Sequence, residues 1–349
     1  MRTLFITRKY PPIIGGMENL SYGLTADFPE PRTIVSLGRK QTHLLWFLPY
    51  AIVRAALSAP FYDVIHLGDP LLCVVGLVPR LVFKRKVAMT VHGLDLTYPH
   101  WLYQTYLKLF LRADVFIAIS ASTRRIAMAR GLAPLEVITI GVPARYLELS
   151  RPSSSDAELE ERRQGRTVLI TLGRLVKRKG VNWFVRNVLP KLPNVLYVGV
   201  GVGVDHDEIV QSAAETGTTD RVWLAGNVSD ERLLNLLGKS DVFVMPNIEV
   251  PGDVEGFGIV AIEASASGLP VLASRLEGIP DAIADGKNGE LVASGDAAAW
   301  LAAVQALTTD SNERERRGER GRAYTAQTYA WPRVIAQYAA LFADLLREA

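Results

Sequence analysis

The chain has 349 residues, 49% of them hydrophobic and 21% charged, a composition that supports a large buried core and excludes a disordered chain. Its one cysteine, Cys73, leaves no partner for a disulfide and no cysteine-built metal site, which excludes an oxidised secreted scaffold and points to a reducing cytosol. The formal net charge of +3 is unevenly spread: residues 1–150 carry 17 Lys and Arg against 9 Asp and Glu, a net of +8, whereas residues 151–349 carry 22 against 27, a net of −5.

The first apolar run, Leu4-Phe-Ile-Thr, is far too short for a signal peptide and predicts a buried strand. It leads into Tyr10-Pro-Pro-Ile-Ile-Gly-Gly-Met-Glu-Asn19, a loop in which Gly15 and Gly16 permit close backbone approach and Glu18 is expected to cap the next helix or, failing that, to contact a hydroxyl. Thr33-Ile-Val-Ser, Asp63-Val-Ile-His, Val87-Ala-Met-Thr-Val and Val115-Phe-Ile-Ala-Ile repeat the pattern with helix-like segments between them, which predicts buried parallel strands. The longest uncharged apolar stretch, Gln41 to Val53, has 13 residues, short of the ~20 that span a bilayer. His43-Leu-Leu-Trp-Phe-Leu-Pro-Tyr-Ala-Ile-Val-Arg54 sets aromatics and aliphatics beside cations, with Arg80, Lys84, Arg85 and Lys86 farther on. That pattern fits a helix lying on an anionic membrane and equally a core helix with an incidental arginine. Thr90-Val-His-Gly-Leu-Asp95 closes a strand, where His92 is placed to face a ligand cleft.

Near residue 150 the texture changes to Arg151-Pro-Ser-Ser-Ser-Asp and then Glu158-Leu-Glu-Glu-Arg-Arg-Gln-Gly, read as a linker. Val168-Leu-Ile-Thr, Val195-Leu-Tyr-Val, Val222-Trp-Leu-Ala, Val242-Phe-Val-Met and Val271-Leu-Ala-Ser then predict a second parallel α/β domain. Directly after the first of these strands comes Leu172-Gly-Arg-Leu-Val-Lys-Arg-Lys-Gly180, where a glycine lets the chain turn near a ligand and Arg174 and Lys179 can converge on a phosphate; a solvated basic turn would use the same residues. Gly199-Val-Gly-Val-Gly203 lacks the spacing of a dinucleotide loop, and Asp205-His-Asp207 with Glu208 reads as an acidic helix start rather than a metal site. Asp253-Val-Glu-Gly-Phe-Gly-Ile-Val-Ala-Ile-Glu-Ala264 opens a helix near Ile259 that stops at Gly268. Its free N–H groups favour a phosphate or sugar oxygen, and Glu255 and Glu263 suit vicinal hydroxyls in one pocket. The run Asn312 to Arg322 reads as a solvated helix face, and Trp331 to Ala349 as an amphipathic helix.

In this order the motifs resemble family 4 of the retaining, nucleotide-sugar-dependent glycosyltransferases, over almost the whole chain. The residues that carry the resemblance are Gly15-Gly16-Met17-Glu18, His92-Gly-Leu-Asp95, Gly173-Arg-Leu-Val-Lys-Arg-Lys-Gly180, Val222-Trp-Leu-Ala-Gly-Asn-Val228, Asp241-Val-Phe-Val-Met-Pro246, Glu255 with Glu263, and Gly278-Ile-Pro-Asp281. The resemblance implies an α/β chain of GT-B fold: two Rossmann-like parallel α/β domains facing a deep interdomain cleft. Residues 1–150 would bind the acceptor, residues 151–330 the nucleotide sugar, and residues 331–349 would form a helix crossing back to the N-terminal domain. Departures are Ile140-Gly-Val-Pro-Ala144 where the family often has Pro-Asn-Gly-Val-Asp, Glu277-Gly278 where Gly-Gly is usual, and a longer Asn247–Asp253 loop like that of lipid mannosyltransferases.

By the same resemblance Arg174 and Lys179 would hold the diphosphate, Glu263 the ribose and Glu255 a hydroxyl of the transferred sugar. Backbone amides of Phe257, Gly258, Ile259 and Val260 would contact sugar and phosphate, Gly16 would approach the phosphates from the other domain, and His92 would sit at the reacting centre. The base would lie near Gly226, Asn227 and Val228. Cleavage of the anomeric C–O bond leaves charge on a nucleoside diphosphate, and cations with a helix N-terminus stabilise it as it develops, so no metal is required. The departing phosphate would accept the acceptor's proton. The expected donor is GDP-mannose or a UDP-sugar, and the acceptor a lipid-linked or polysaccharide hydroxyl. Nucleic acid is not expected as a partner. The expected location is the cytoplasm, peripheral at the inner face of the cell membrane. A sugar-nucleotide epimerase of the same fold and a catalytically silent nucleotide-sugar binding protein are the alternatives.

Overall fold

The computed structural model describes residues 1–12, 15–38, 41–149 and 156–347. The chain forms two compact units, residues 1–141 with 331–349, and residues 142–330. Residues 142–149 therefore group with the second unit rather than ending the first. The expected linker at 151–155 lies outside the described residues, as do Ile13 and Ile14 of the first loop.

The first unit is built on six strands: β1 (Thr3–Thr7), β2 (Arg32–Ser36), β3 (Val64–Leu67), β4 (Lys86–Val91), β5 (Val115–Ala118) and β6 (Leu135–Val137). They pair in parallel in the order β2-β1-β3-β4-β5-β6. The inner strands are buried along their whole length, which is why they read as unbroken apolar runs rather than alternating ones. Leu4, Ile6, Ile65, Leu67, Met89 and Val91 form the core on one side with Cys73, whose thiol burial pushes up to about 11, leaving it inert. The helix Trp331–Arg347 closes the other side: Tyr338 meets His66 edge-on, Phe342 packs tilted against it, and Phe342 meets Phe28. Its first residue, Trp331, fits only because Gly23 and Gly141 have no side chain; a Cβ on either would lie 2.0 or 2.5 Å from the indole.

The helix Leu44–Ser58 packs Phe47, Ala51 and Ala55 into the same core. With the 3-10 turn Ala59–Phe61 it makes an 18-residue segment of mean hydropathy 1.4, long and apolar enough by length and composition to cross a membrane. The expectation of no such segment is thereby corrected: Arg54 interrupts the apolar run but a single charge does not lower the mean enough to matter. Its inner face is nonetheless part of the hydrophobic core of the first unit.

The second unit carries β7 (Thr167–Leu172), β8 (Val195–Val200), β9 (Val222–Gly226), β10 (Val242–Met245), β11 (Val271–Ser274) and β12 (Glu290–Val292), again parallel, in the order β12-β11-β10-β7-β8-β9. Phe184 stacks on Tyr197 at 5.1 Å and meets Trp300 edge-on at 5.9 Å, centring one core layer. The helix Ser311–Tyr329 has the solvated face its charge suggested, with Asn312, Glu315, Arg316, Glu319 and Arg320 exposed, and a buried face besides. Gly318 and Gly321 are buried against Gly268 and Ser265, so a bare backbone face packs on the helix Ile259–Ala266.

Candidate functional site

In the second sheet the chain order reverses between β10 and β7, and ligands of open α/β sheets bind beyond the carboxyl ends of strands at such a point. Arg174, Lys179, Glu255 and residues 257–260 follow β7 and β10 at that point, whereas Gly226, Asn227 and Val228 close the edge strand β9 and Glu263 lies inside a helix. Gly173–Gly180 follows β7, Gly226, Asn227 and Val228 end or follow β9, and Asn247–Gly258 follows β10 into the helix Ile259–Ala266. The glycines after β8 serve this arrangement instead of a dinucleotide. Gly173 N–H donates to Val200 O and Leu175 N–H to Val202 O, each at 3.0 Å. A Cβ on Gly201, whose φ is +134°, would lie 2.0 Å from the Gly173 carbonyl. The loop holding Arg174 is thus clamped by the loop after β8.

Lys179 is buried, and its ammonium donates to Glu255 Oε2 at 2.6 Å. Arg178, also buried, donates to the same oxygen and through Nε to Asp253 at 3.0 Å, while Asn247 Nδ2 donates to Glu255 at 3.0 Å. The backbone N–H of Glu255 is held by the Glu277 carboxylate. Burial alone would raise the Glu255 pKa; the charges of Lys179 and Arg178 overcome it and hold the carboxyl down to about 2. Glu255 is therefore a fixed anion. Arg174 is exposed and has no ion-pair partner among the described residues, so its fork is available to an incoming anion.

The structure separates Glu263 from this network. It is 5% exposed in the helix Ile259–Ala266, against which the short helix Ala144–Leu147 packs. Burial pushes its carboxyl up to about 8 despite the pull of Arg145, and Asp230 adds to the rise. Arg145 donates to Asp230 at 2.7 Å and lies 5.1 Å over the Tyr146 ring. Glu263 is thus protonated at neutral pH and offers both a donor and an acceptor, which suits a hydroxyl pair. The helix itself starts on Gly258 with no side-chain cap, leaving Ile259 and Val260 in a first turn with orphan N–H groups.

In the first unit Gly16 opens the helix Gly16–Ala26. Glu18 does not cap it: the carboxylate is buried and pairs with Lys9 at 3.2 Å, because the lysine on the preceding loop out-competes the neutral backbone N–H groups. His92 is buried at the end of β4. Its Nε2–H donates to the Gly68 carbonyl at 2.9 Å, which leaves Nδ1 as the other ring nitrogen, and its backbone N–H is held by both oxygens of Asp95 at 3.0 and 3.1 Å. Neighbouring His66 is a core residue: burial, reinforced by His92, lowers its pKa to about 3.

Residues 155–324 match the family described as Glycosyl transferases group 1, and residues 6–146 the family described as Glycosyltransferase Family 4. A GDP-mannose-dependent alpha-(1-6)-phosphatidylinositol monomannoside mannosyltransferase of Mycolicibacterium smegmatis is 32% identical over 275 residues, 74% of this chain and 70% of that one. The enzyme of the same description from Mycobacterium tuberculosis is 33% identical over 284 residues, 77% and 71% of the two chains. The chain belongs to the family 4 glycosyltransferases. Its GT-B fold is shared with Anabaena HepE in complex with UDP, at a TM-score of 0.76 and 19% identity over 99% of this chain and 100% of that one.

This glycosyltransferase takes its sugar from a nucleotide sugar. The pattern of residues in its sequence did not reveal Arg178, Asn247, Asp253 and Glu277 around Glu255, nor Arg145, Asp230 and Tyr146 near Glu263. Arg178 was within reach, standing in the same basic octapeptide as Lys179. Asn247 and Asp253 stand in the loop that carries Glu255; Glu277, Arg145, Asp230 and Tyr146 are separated from their partners by intervening strands, and only the fold brings them together.

Proposed function

We propose that this glycosyltransferase moves mannose from GDP-mannose to a hydroxyl of a lipid-linked acceptor, with retention of anomeric configuration and without a metal ion. The observation that carries the chemistry is the pairing of a fixed carboxylate, Glu255, with Lys179 beside the unpaired cation Arg174 and an uncapped helix N-terminus. As the anomeric C–O bond breaks, negative charge grows on the departing diphosphate. Arg174, Lys179 and the amides of Phe257, Gly258, Ile259 and Val260 stabilise it with preset dipoles and charges. Glu255, held ionised, accepts from a sugar hydroxyl, and Glu263, held neutral, engages the ribose. Nδ1 of His92 accepts from the transferred sugar, and Gly16 lets the backbone approach the phosphates. The base rests near Gly226, Asn227 and Val228. The leaving phosphate takes the acceptor's proton.

Mannose and the lipid acceptor are supported by the two mycobacterial relatives, whose descriptions give GDP-mannose as donor and a phosphatidylinositol mannoside as acceptor. A lipid acceptor places the enzyme at the inner face of the cell membrane. The test is a panel of GDP-mannose, UDP-glucose and ADP-glucose with glycolipid-bearing vesicles and with soluble saccharides, in the presence and absence of EDTA. GDP release coupled to mannolipid, unaffected by EDTA, is expected. Turnover of a UDP- or ADP-sugar in place of GDP-mannose overturns the donor, and transfer to soluble saccharides alone overturns the acceptor. Conversion of the nucleotide sugar without any acceptor identifies an epimerase.

A further inference from the structure

The helix Leu44–Ser58 is apolar on two sides. One is the core seam of Phe47, Ala51 and Ala55, at four-residue spacing and continued by Ala59. The other faces water with Leu45 82% and Trp46 81% exposed, followed by Tyr50, Val53, Leu57 and then Phe61. Such an expanse of large apolar side chains has no structural use within a soluble unit. The helix Trp101–Phe110 adds Trp101, 71% exposed, with Leu102 and Leu109.

Between these helices runs a groove of about 390 Å³, walled by Leu45, Leu48, Pro49, Leu71, Leu102 and Tyr106, within the size range of small-molecule sites, ~300–1,000 Å³. The hydroxyls of its tyrosines are already committed: Tyr106 donates to the Leu71 carbonyl and Tyr103 to the Asp95 carbonyl, each at 2.7 Å. Only ring faces and aliphatic carbon remain for a guest. The Asp95 carboxylate in turn holds the backbone of His92, so the tyrosine wall and His92 share one turn. Asp95 and Asp69 stand near Tyr103 on the inner side of the groove. Residues 31–62, 70–94 and 96–113 contain no aspartate or glutamate, while Arg54, Lys84, Lys108 and Arg112 are exposed within them.

An apolar slot on a unit whose helices bear exposed aromatics and cations fits an amphiphile with a hydrocarbon chain and an anionic head at a bilayer surface. We propose that the groove binds an acyl chain of the lipid acceptor at an anionic bilayer, with Trp46 and Trp101 seated in the interface and the acceptor's head group directed towards the His92 turn. This rests on the lipid-acceptor reading given above. The helix lies in the plane of the interface and does not span, since leaving the unit would withdraw Phe47, Ala51 and Ala55 from the core.

The full chain is mixed with phosphatidylcholine vesicles with and without phosphatidylglycerol carrying brominated acyl chains, and tryptophan fluorescence is followed. Quenching in the anionic vesicles only, abolished in the Trp46→Phe/Trp101→Phe double variant and reversed by salt, is expected. In parallel, transfer is measured to the acylated and the deacylated glycolipid. Leu102→Asp should lower the kcat/KM ratio of acylated to deacylated acceptor at least about tenfold, the worth of one well-buried leucine. Absence of quenching, or an equal loss on both acceptors, overturns the groove; binding through the apolar face of a protein partner gives this outcome. Quenching with transfer to soluble saccharides alone instead overturns the lipid acceptor and, with it, the groove's role in acceptor binding.

Discussion

At Lys179 two demands meet in the proposed reaction, since the ammonium that fixes Glu255 would also offer charge to a phosphate. Removing it deprives the transition state of a preset cation, so Lys179→Ala should lower kcat by about 10²–10³. Arg174→Ala should do likewise, and steady-state kinetics with kcat unchanged in either would remove the assignment. Glu263 makes a different prediction. In the unfolded chain its carboxyl ionises near the ordinary 4.5, but in the folded protein only at about 8. Its contribution to stability is complete below pH 4.5 and is lost as pH rises towards 8, because over that window the unfolded chain has released a proton that the native state still holds. Glu263→Gln removes that penalty. The melting temperature of the ligand-free variant should exceed that of the parent at pH 8 and converge with it below pH 4.5, while the upward shift produced by GDP should shrink. A variant less stable than the parent at pH 8 would show that Glu263 is ionised there. The residues of the candidate site stand out in the sequence because glycine, arginine and glutamate at strand ends have few structural uses; their pairing does not. Lys179 and Glu255 were read as two independent ligands, and nothing local in the sequence says that they hold each other.

At the scale of elements, the inner strands declared themselves by being apolar on both faces, whereas β6 and β12 went unread. Each is three residues long, lies at a sheet edge, and contains a glutamate, Glu136 or Glu290, that breaks the apolar run. The loops were harder, because their meaning lies in contacts between them. Gly199-Val-Gly-Val-Gly203 has no nucleotide signature, yet Gly201 lets the β8 loop clamp the loop that carries Arg174. Gly201→Ala adds a Cβ where the Gly173 carbonyl already lies, in a left-handed backbone region that L side chains rarely adopt. The Arg174 loop must then move. The expected outcome is loss of GDP binding by calorimetry while far-ultraviolet circular dichroism is unchanged; full affinity in the variant would show that the clamp is dispensable.

For the whole molecule, the charge asymmetry survives the corrected division. Residues 1–141 with 331–349 carry 18 Lys and Arg against 10 Asp and Glu, and residues 142–330 carry 21 against 26, the same +8 and −5. The cations proposed to hold phosphate, Arg174 and Lys179, are nevertheless in the acidic unit, so net charge does not mark the proposed place of the nucleotide. The two-unit plan could be read from the restart of strand alternation after residue 160, but not the place of division. Stopping the chain after Ala330 removes Trp331, Tyr338 and Phe342 from the first unit and bares Phe28 and His66. Calorimetry should then lose the first unit's transition and keep that of the second; two intact transitions would mean that the last helix is not needed for folding.

That same helix sets an order of events on the ribosome. The first unit is the first to emerge, but it lacks its closing helix until all of residues 142–330 have been made, about 10–40 s at typical synthesis rates. The second unit, continuous in the chain, can finish folding while the first still has an open side. The nascent enzyme therefore matures from its middle outwards, and a chaperone that shields the exposed ring of Phe28 during that interval would act on the half of the protein made earliest.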